Sequence, residues 1–226
     1  MEYNTATYGS ATLSADRNKV LRNTYFLLAL TMLPTAAGAL LGVSMQFAMT
    51  PWMGLILFLG VSFGCFYAIE KTKDSAAGVF ILLGWTGFMG LWLSQILQVA
   101  LRFSNGAEMI GTAAIGTAAI FFTLSTIATV TKKDFGFLGN FLFVGMIIVL
   151  LAAIGNIFFA MPALSLVISA AVLLIFSLYI LYDVSQIVNG GETNYIKATL
   201  QLYLDVYNVF VSLLNILMLL SGNRRD

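Results

Sequence analysis

The segment Leu202-Tyr203-Leu204-Asp205-Val206-Tyr207-Asn208-Val209-Phe210 lies inside an apolar stretch, 196–220, long enough to cross a bilayer. A second acid ends Tyr179-Ile180-Leu181-Tyr182-Asp183, inside another apolar stretch, 163–188. A carboxylate within a membrane is costly unless it is paired, protonated or facing water. The 226 residues include only 10 acidic ones, and two of them are placed there.

Working outward, five more stretches of spanning length occur at 23–43, 52–69, 76–101, 109–130 and 137–159. Hydrophobic residues make up 60% of the chain and charged residues 9%; a soluble domain carries about 25% charged residues. The expectation is an all-α membrane protein, a seven-transmembrane-helix bundle with short connections and no inserted soluble domain. Residues 1–20 are polar and lack the basic start and early apolar core of a cleaved signal peptide. They read as a flexible cytoplasmic tail, with 21–226 as the transmembrane domain and the first span as an uncleaved signal anchor.

With the N-terminus inside, the cytoplasmic side holds Arg17, Lys19, Arg22, Lys71, Lys73, Lys132, Lys133 and Lys197, against Arg102, Arg224 and Arg225 outside. This asymmetry favours a cytoplasmic N-terminus. Seven full spans put the C-terminus outside. A re-entrant seventh segment would move Arg224 and Arg225 inside, so the charge rule leaves that segment's path open.

The chain has no histidine and one cysteine, Cys65, in an apolar run. Histidine-based catalysis, histidine zinc sites, an intramolecular disulfide and thiol metal clusters are excluded. The net charge of +1 gives no electrostatic footprint for nucleic acid, and no cofactor is assigned. Gly84, Gly87 and Gly90 recur at helix-face spacing, and Gly111 to Ile120 is a tandem five-residue repeat of small residues. Both read as close helix packing. Pro34 reads as a kink and Pro51 as a helix start.

The seventh segment carries a polar stripe: Gln201, Asp205, Asn208, Ser212 and Asn215, spaced four, three, four and three. That is one helix face, expected to face the bundle interior or a water-lined path rather than lipid. Tyr179, Asp183 and Gln186 share a face of the sixth segment in the same way. Asp183 lies about 8 Å and Asp205 about 14 Å from the inner ends of their spans at 1.5 Å per residue. Antiparallel neighbours joined by a short loop bring them together. Two carboxylates in contact do not both ionise cheaply, so the pair holds a shared proton over some pH range. Loss of that proton would set the two helices repelling, which is a gate; the alternative is a hydrogen-bonded pair that glues two helices. Two aspartates on neighbouring helices are also the signature of intramembrane aspartyl proteases, but those carry Gly-x-Gly-Asp, and here Leu-Tyr and Tyr-Leu precede the acids.

Lys19-Val20-Leu21-Arg22-Asn23-Thr24-Tyr25-Phe26-Leu27-Leu28, Gly190-Gly191-Glu192-Thr193-Asn194-Tyr195-Ile196 and the Asp205 block together resemble the Bax inhibitor-1 family, most closely its proteobacterial YccA branch. The resemblance covers essentially the whole chain. It implies seven helices with the last one central. In ion-leak members it implies an acidic pair on the last two helices acting as a pH-responsive latch on a calcium leak; Asp183 and Asp205 match those positions, which makes calcium and protons candidate ligands there. For the YccA branch it implies binding and restraint of the membrane-anchored ATP-dependent protease FtsH, with the polar tail, 1–18, as the part engaged. It implies no enzyme activity.

Overall fold

The computed structural model describes residues 5–222. Residues 1–4 of the N-terminal segment, and Arg224 and Arg225 of the charge count, lie outside them. Seven helices follow in order: α1 (Thr5–Ser44), α2 (Pro51–Thr72), α3 (Ala76–Ala100), α4 (Gly106–Thr131), α5 (Leu138–Phe159), α6 (Pro162–Asn189) and α7 (Tyr195–Gly222). Each contains a stretch long and apolar enough to cross a membrane; in α1 it is Asp16–Ser44. No strand occurs among the described residues. The protein is an all-α, multi-pass membrane protein, and the helix ends fall within a few residues of the apolar stretches except at α1. There the helix begins at Thr5, inside the segment read as the tail.

Local chemistry sets the boundaries. Thr50 is extended and Pro51 opens α2, where a missing N–H costs nothing. Met161 and Pro162 open α6 the same way. The α6 C-terminus closes on Gly190, at φ 83°, a left-handed conformation that glycine adopts without a Cβ penalty. The Gly191 N–H then donates to the Gln186 carbonyl at 2.7 Å. Pro34 lies inside α1, which stays helical through it.

The tightest seam joins α1 to α3. A Cβ on Gly38 would strike the Gly87 carbonyl, and one on Gly90 would strike the Thr35 carbonyl. Small residues let backbones approach closely where no hydrophobic force drives helices together. Gly84 and Gly111 differ: a Cβ there would meet nothing within 4 Å, so helix-face spacing alone does not place them at a contact. Gly116, in the tandem repeat, does face a neighbour, with Leu213 Cδ1 3.2 Å from a built Cβ.

The α7 helix packs against α1, α2, α3, α4 and α6, whereas among the described residues α5 packs against α6 alone. The core centres on Trp85, Leu82, Met89, Ile180, Leu202 and Tyr203. Phe63, Phe80, Phe122, Phe141 and Phe158 are among the large apolar side chains left exposed, the outward surface expected of spans bathed in lipid. Cys65 is free and half-buried.

Candidate functional site

The turn between α6 and α7 sets the register of the two acids. Asn194 caps α7: its Oδ1 accepts from the Ile196 and Lys197 N–H groups at 3.0 and 3.1 Å, satisfying donors that the helix start leaves unpaired. Its Nδ2 donates to the Lys73 carbonyl and to Asp74 Oδ1, both at 2.9 Å, which ties the turn to the α2–α3 connection. Glu192 Oε1 accepts from the Thr193 and Asn194 N–H groups at 2.9 and 2.8 Å. Lys197 reaches Glu70 at 3.6 Å and Glu192 at 3.9 Å. Arg17 of α1 lies over the same turn: a Cβ on Gly190 would be 2.9 Å from its Nε.

Asp183 and Asp205 meet beneath this turn. Their carboxyls lie close enough to interact directly, and the residues are 7% and 4% exposed. An ionised carboxylate only accepts hydrogen bonds, so a hydrogen bond between the two requires that one carry a proton. The second oxygen of Asp205, Oδ2, is buried with no hydrogen-bond partner. Among the described residues neither aspartate forms an ion pair. Instead Glu192 adds a like charge toward Asp183, and Tyr179 lies within electrostatic reach of both acids. Two carboxyls in contact can share one proton, and they repel if both are ionised.

The rest of the stripe divides. Ser212 is buried. Asn208 turns its amide back onto its own helix, Nδ2 to the Leu204 carbonyl at 2.8 Å. Gln201 is exposed, so the interior face begins at Asp205 and not a turn earlier. Asn215 reaches a cleft of about 640 Å³ at the end of the bundle away from the α6–α7 turn. On the α6 face, Tyr179 and Gln186 are half-buried and Asp183 is buried.

The sequence reading assigned no role to the opposite face of α7. Tyr203 Oη lies 2.9 Å from Thr35 Oγ1, and that hydroxyl also donates to the Thr86 carbonyl at 3.1 Å. The Tyr203 ring packs edge-on against Trp85, with centroids 5.5 Å apart, and Thr199 donates to the Thr24 carbonyl. The only signal for this brace was a tyrosine and a threonine on one helix face, which apolar spans commonly hold without any partner.

Comparison with known proteins adds a lineage. Residues 17–223 match the family described as inhibitor of apoptosis-promoting Bax1. The chain is 44% identical over 200 residues to the Escherichia coli K12 protein named modulator of FtsH protease YccA, covering 88% of this chain and 90% of that one. The YccA of another Escherichia coli strain, named an inner membrane protein, matches equally. An uncharacterized protein of Neisseria meningitidis serogroup A is 39% identical over 227 residues, covering 98% of this chain and 99% of its own.

Proposed function

We propose, from the premise that this chain belongs to the Bax inhibitor-1 family, that it is an inner-membrane protein that binds an FtsH-type, ATP-dependent membrane protease and restrains it. The observation that carries this reading is the likeness, over nine-tenths of the relative's length, to a protein named a modulator of that protease. The physical setting suits the role. Seven packed spans make extraction from the membrane costly, and a polar segment ahead of Asp16 offers the end from which a protease pulls. Positive-inside asymmetry, with Lys71, Lys73, Lys132, Lys133 and Lys197 on one side, supports a cytoplasmic N-terminus. The reading makes the protein a modulator and not an enzyme.

Co-purification from native membranes tests it. The full-length chain should bring down the protease, and a chain lacking residues 1–18 should bring down markedly less. Absence of the protease from both would overturn the reading.

A second reading rests on one specific observation, the buried Asp183 and Asp205 carboxyls placed against each other. Here the pair gates a cation leak, with calcium as the candidate ion: closed while one proton is shared, open when both acids are charged. The two readings are compatible, because the acid pair and the N-terminal segment are separate parts of the chain.

A further inference from the structure

The cleft that receives Asn215 is built from helices that do not close on one another. Val99 and Phe103 flank it at the α3 end, Ala153 and Asn156 on α5, and Ser169 on α6. Because α5 packs against α6 alone, the gap between α5 and the α3–α7 wall opens sideways, toward the membrane. No charged residue lines it among the described residues. Its 640 Å³ lies within the range of about 300–1,000 Å³ typical of ligand pockets.

The level of the cleft identifies an occupant. A helix of 28 residues such as α7 is about 42 Å long, roughly 12 Å more than the hydrocarbon core. About 6 Å of each end therefore stands in the interface. Asn215 lies two turns before the helix end at Gly222, about 10 Å in, and so just beneath the hydrocarbon boundary. That is where the ester carbonyls and first methylenes of a phospholipid lie.

The polar groups nearer the mouth are already occupied. Asn156 Nδ2 donates to Ser165 Oγ at 2.7 Å, Asn156 Oδ1 accepts from the Met161 N–H at 3.1 Å, and Ser165 Oγ donates to the Met161 carbonyl at 3.3 Å. Ordered water needs two to four polar partners, and these groups have few left to give. Asn215 has no partner among the described residues. Mostly apolar walls, with the Asn215 amide and the Ser169 hydroxyl as neutral donors, suit an acyl chain and its ester carbonyl, which only accepts.

We propose that this cleft is a phospholipid site: one acyl chain of a lipid in the leaflet opposite the α6–α7 turn enters between α5 and the α3–α7 wall, and its ester carbonyl accepts from Asn215 Nδ2. The site does not depend on the protease reading.

The test uses the full-length protein in vesicles of phosphatidylethanolamine and phosphatidylglycerol containing a phosphatidylethanolamine with a diazirine on its acyl chain. After illumination, adducts are mapped by mass spectrometry. Met218, which is 8% exposed, should be labelled at least fivefold more than Phe63 and Phe122, which are 67% exposed. Ala153→Phe, filling the cleft, should remove that excess. Labelling that simply follows exposure would overturn the proposal in the wild-type protein alone, whether or not the filled variant folds. So would rapid reaction of Ser169→Cys, in a Cys65→Ser background, with a membrane-impermeant thiol reagent, since that outcome means a water-filled vestibule.

Discussion

Tyr203 and Asp205 lie two residues apart on α7 and serve opposite sides of it. The Tyr203 hydroxyl bonds Thr35 on α1, while the Asp205 carboxyl meets Asp183 on α6. Two residues along a helix are about 200° apart, so one side chain braces the back of α7 and the other presents the acid. The brace to α1 and the acid contact to α6 thus stand on opposite sides of one helix.

Replacing Asp183 or Asp205 with Asn should flatten the pH response of ion flux in proteoliposomes, because a neutral amide does not repel its partner. Stability in detergent should change by less than about 1 kcal/mol, since the amide still donates to the remaining carboxyl. Asp183→Leu should cost about 1–3 kcal/mol by leaving Asp205 buried and unpaired. An unaltered pH response in both Asn variants would assign the pair to helix adhesion.

Tyr203→Phe removes the hydroxyl that bridges α7 to Thr35 and keeps the ring packed on Trp85. Thermal melting should show a loss of about 1 kcal/mol, with the pH response of flux unchanged. A shifted pH response would mean that the brace and the acid pair are coupled.

The α1–α3 seam is tested by two alanines. Gly90→Ala pushes a methyl group into the Thr35 carbonyl and should cost about 1–3 kcal/mol, as overpacking does. Gly84→Ala, where a Cβ meets nothing within 4 Å, should melt with the parent or slightly above it. Equal melting of the two variants would contradict the close approach.

The surface pair at the α2 end has a definite pH signature. The Glu70 carboxylate, accepting a hydrogen bond from Lys73, holds that ammonium above its ordinary range. A raised folded-state value contributes stability fully below the unfolded lysine value of about 10.4 and loses it as pH rises through the folded one. The melting difference between parent and Glu70→Gln should thus be small and constant from about pH 6 to 9, and should vanish above the lysine range and again below the carboxylate range.

Deleting residues 1–18 should leave the bundle inserted but lengthen its half-life in pulse-chase experiments, because the protease loses its grip. A bundle that stays bound should then inhibit for longer. Identical half-lives, with no protease co-purifying with either form, would favour the ion-leak reading.

Most of the fold was legible because a bilayer leaves few choices: apolar length announces each span, and Pro51 marks one start, whereas Pro162 and Gly190 showed themselves as boundaries only in the structure. The acid pair was legible because two carboxylates at similar depth on adjoining helices are conspicuous against leucine and valine. Neighbour relations were not. Periodicity tells which residues share a face, but it does not say what that face meets, so Gln201 looked equivalent to Asp205 and Gly84 to Gly87. The Tyr203–Thr35 bond joins residues 168 apart in sequence, and no local pattern marks it. Asn194 stood in plain view within a recognisable block, yet its grip on the α2–α3 connection depends on where that loop lies in space.

The bracing of α7 by α1 also bears on how the protein is made. The helix that answers Thr35 and Thr24 is the last of the seven to leave the ribosome. Until it does, the faces of α1, α2, α3, α4 and α6 that pack against α7 await that contact inside the bilayer. Completion of synthesis is therefore the event that supplies the contacts of α7 with five other helices.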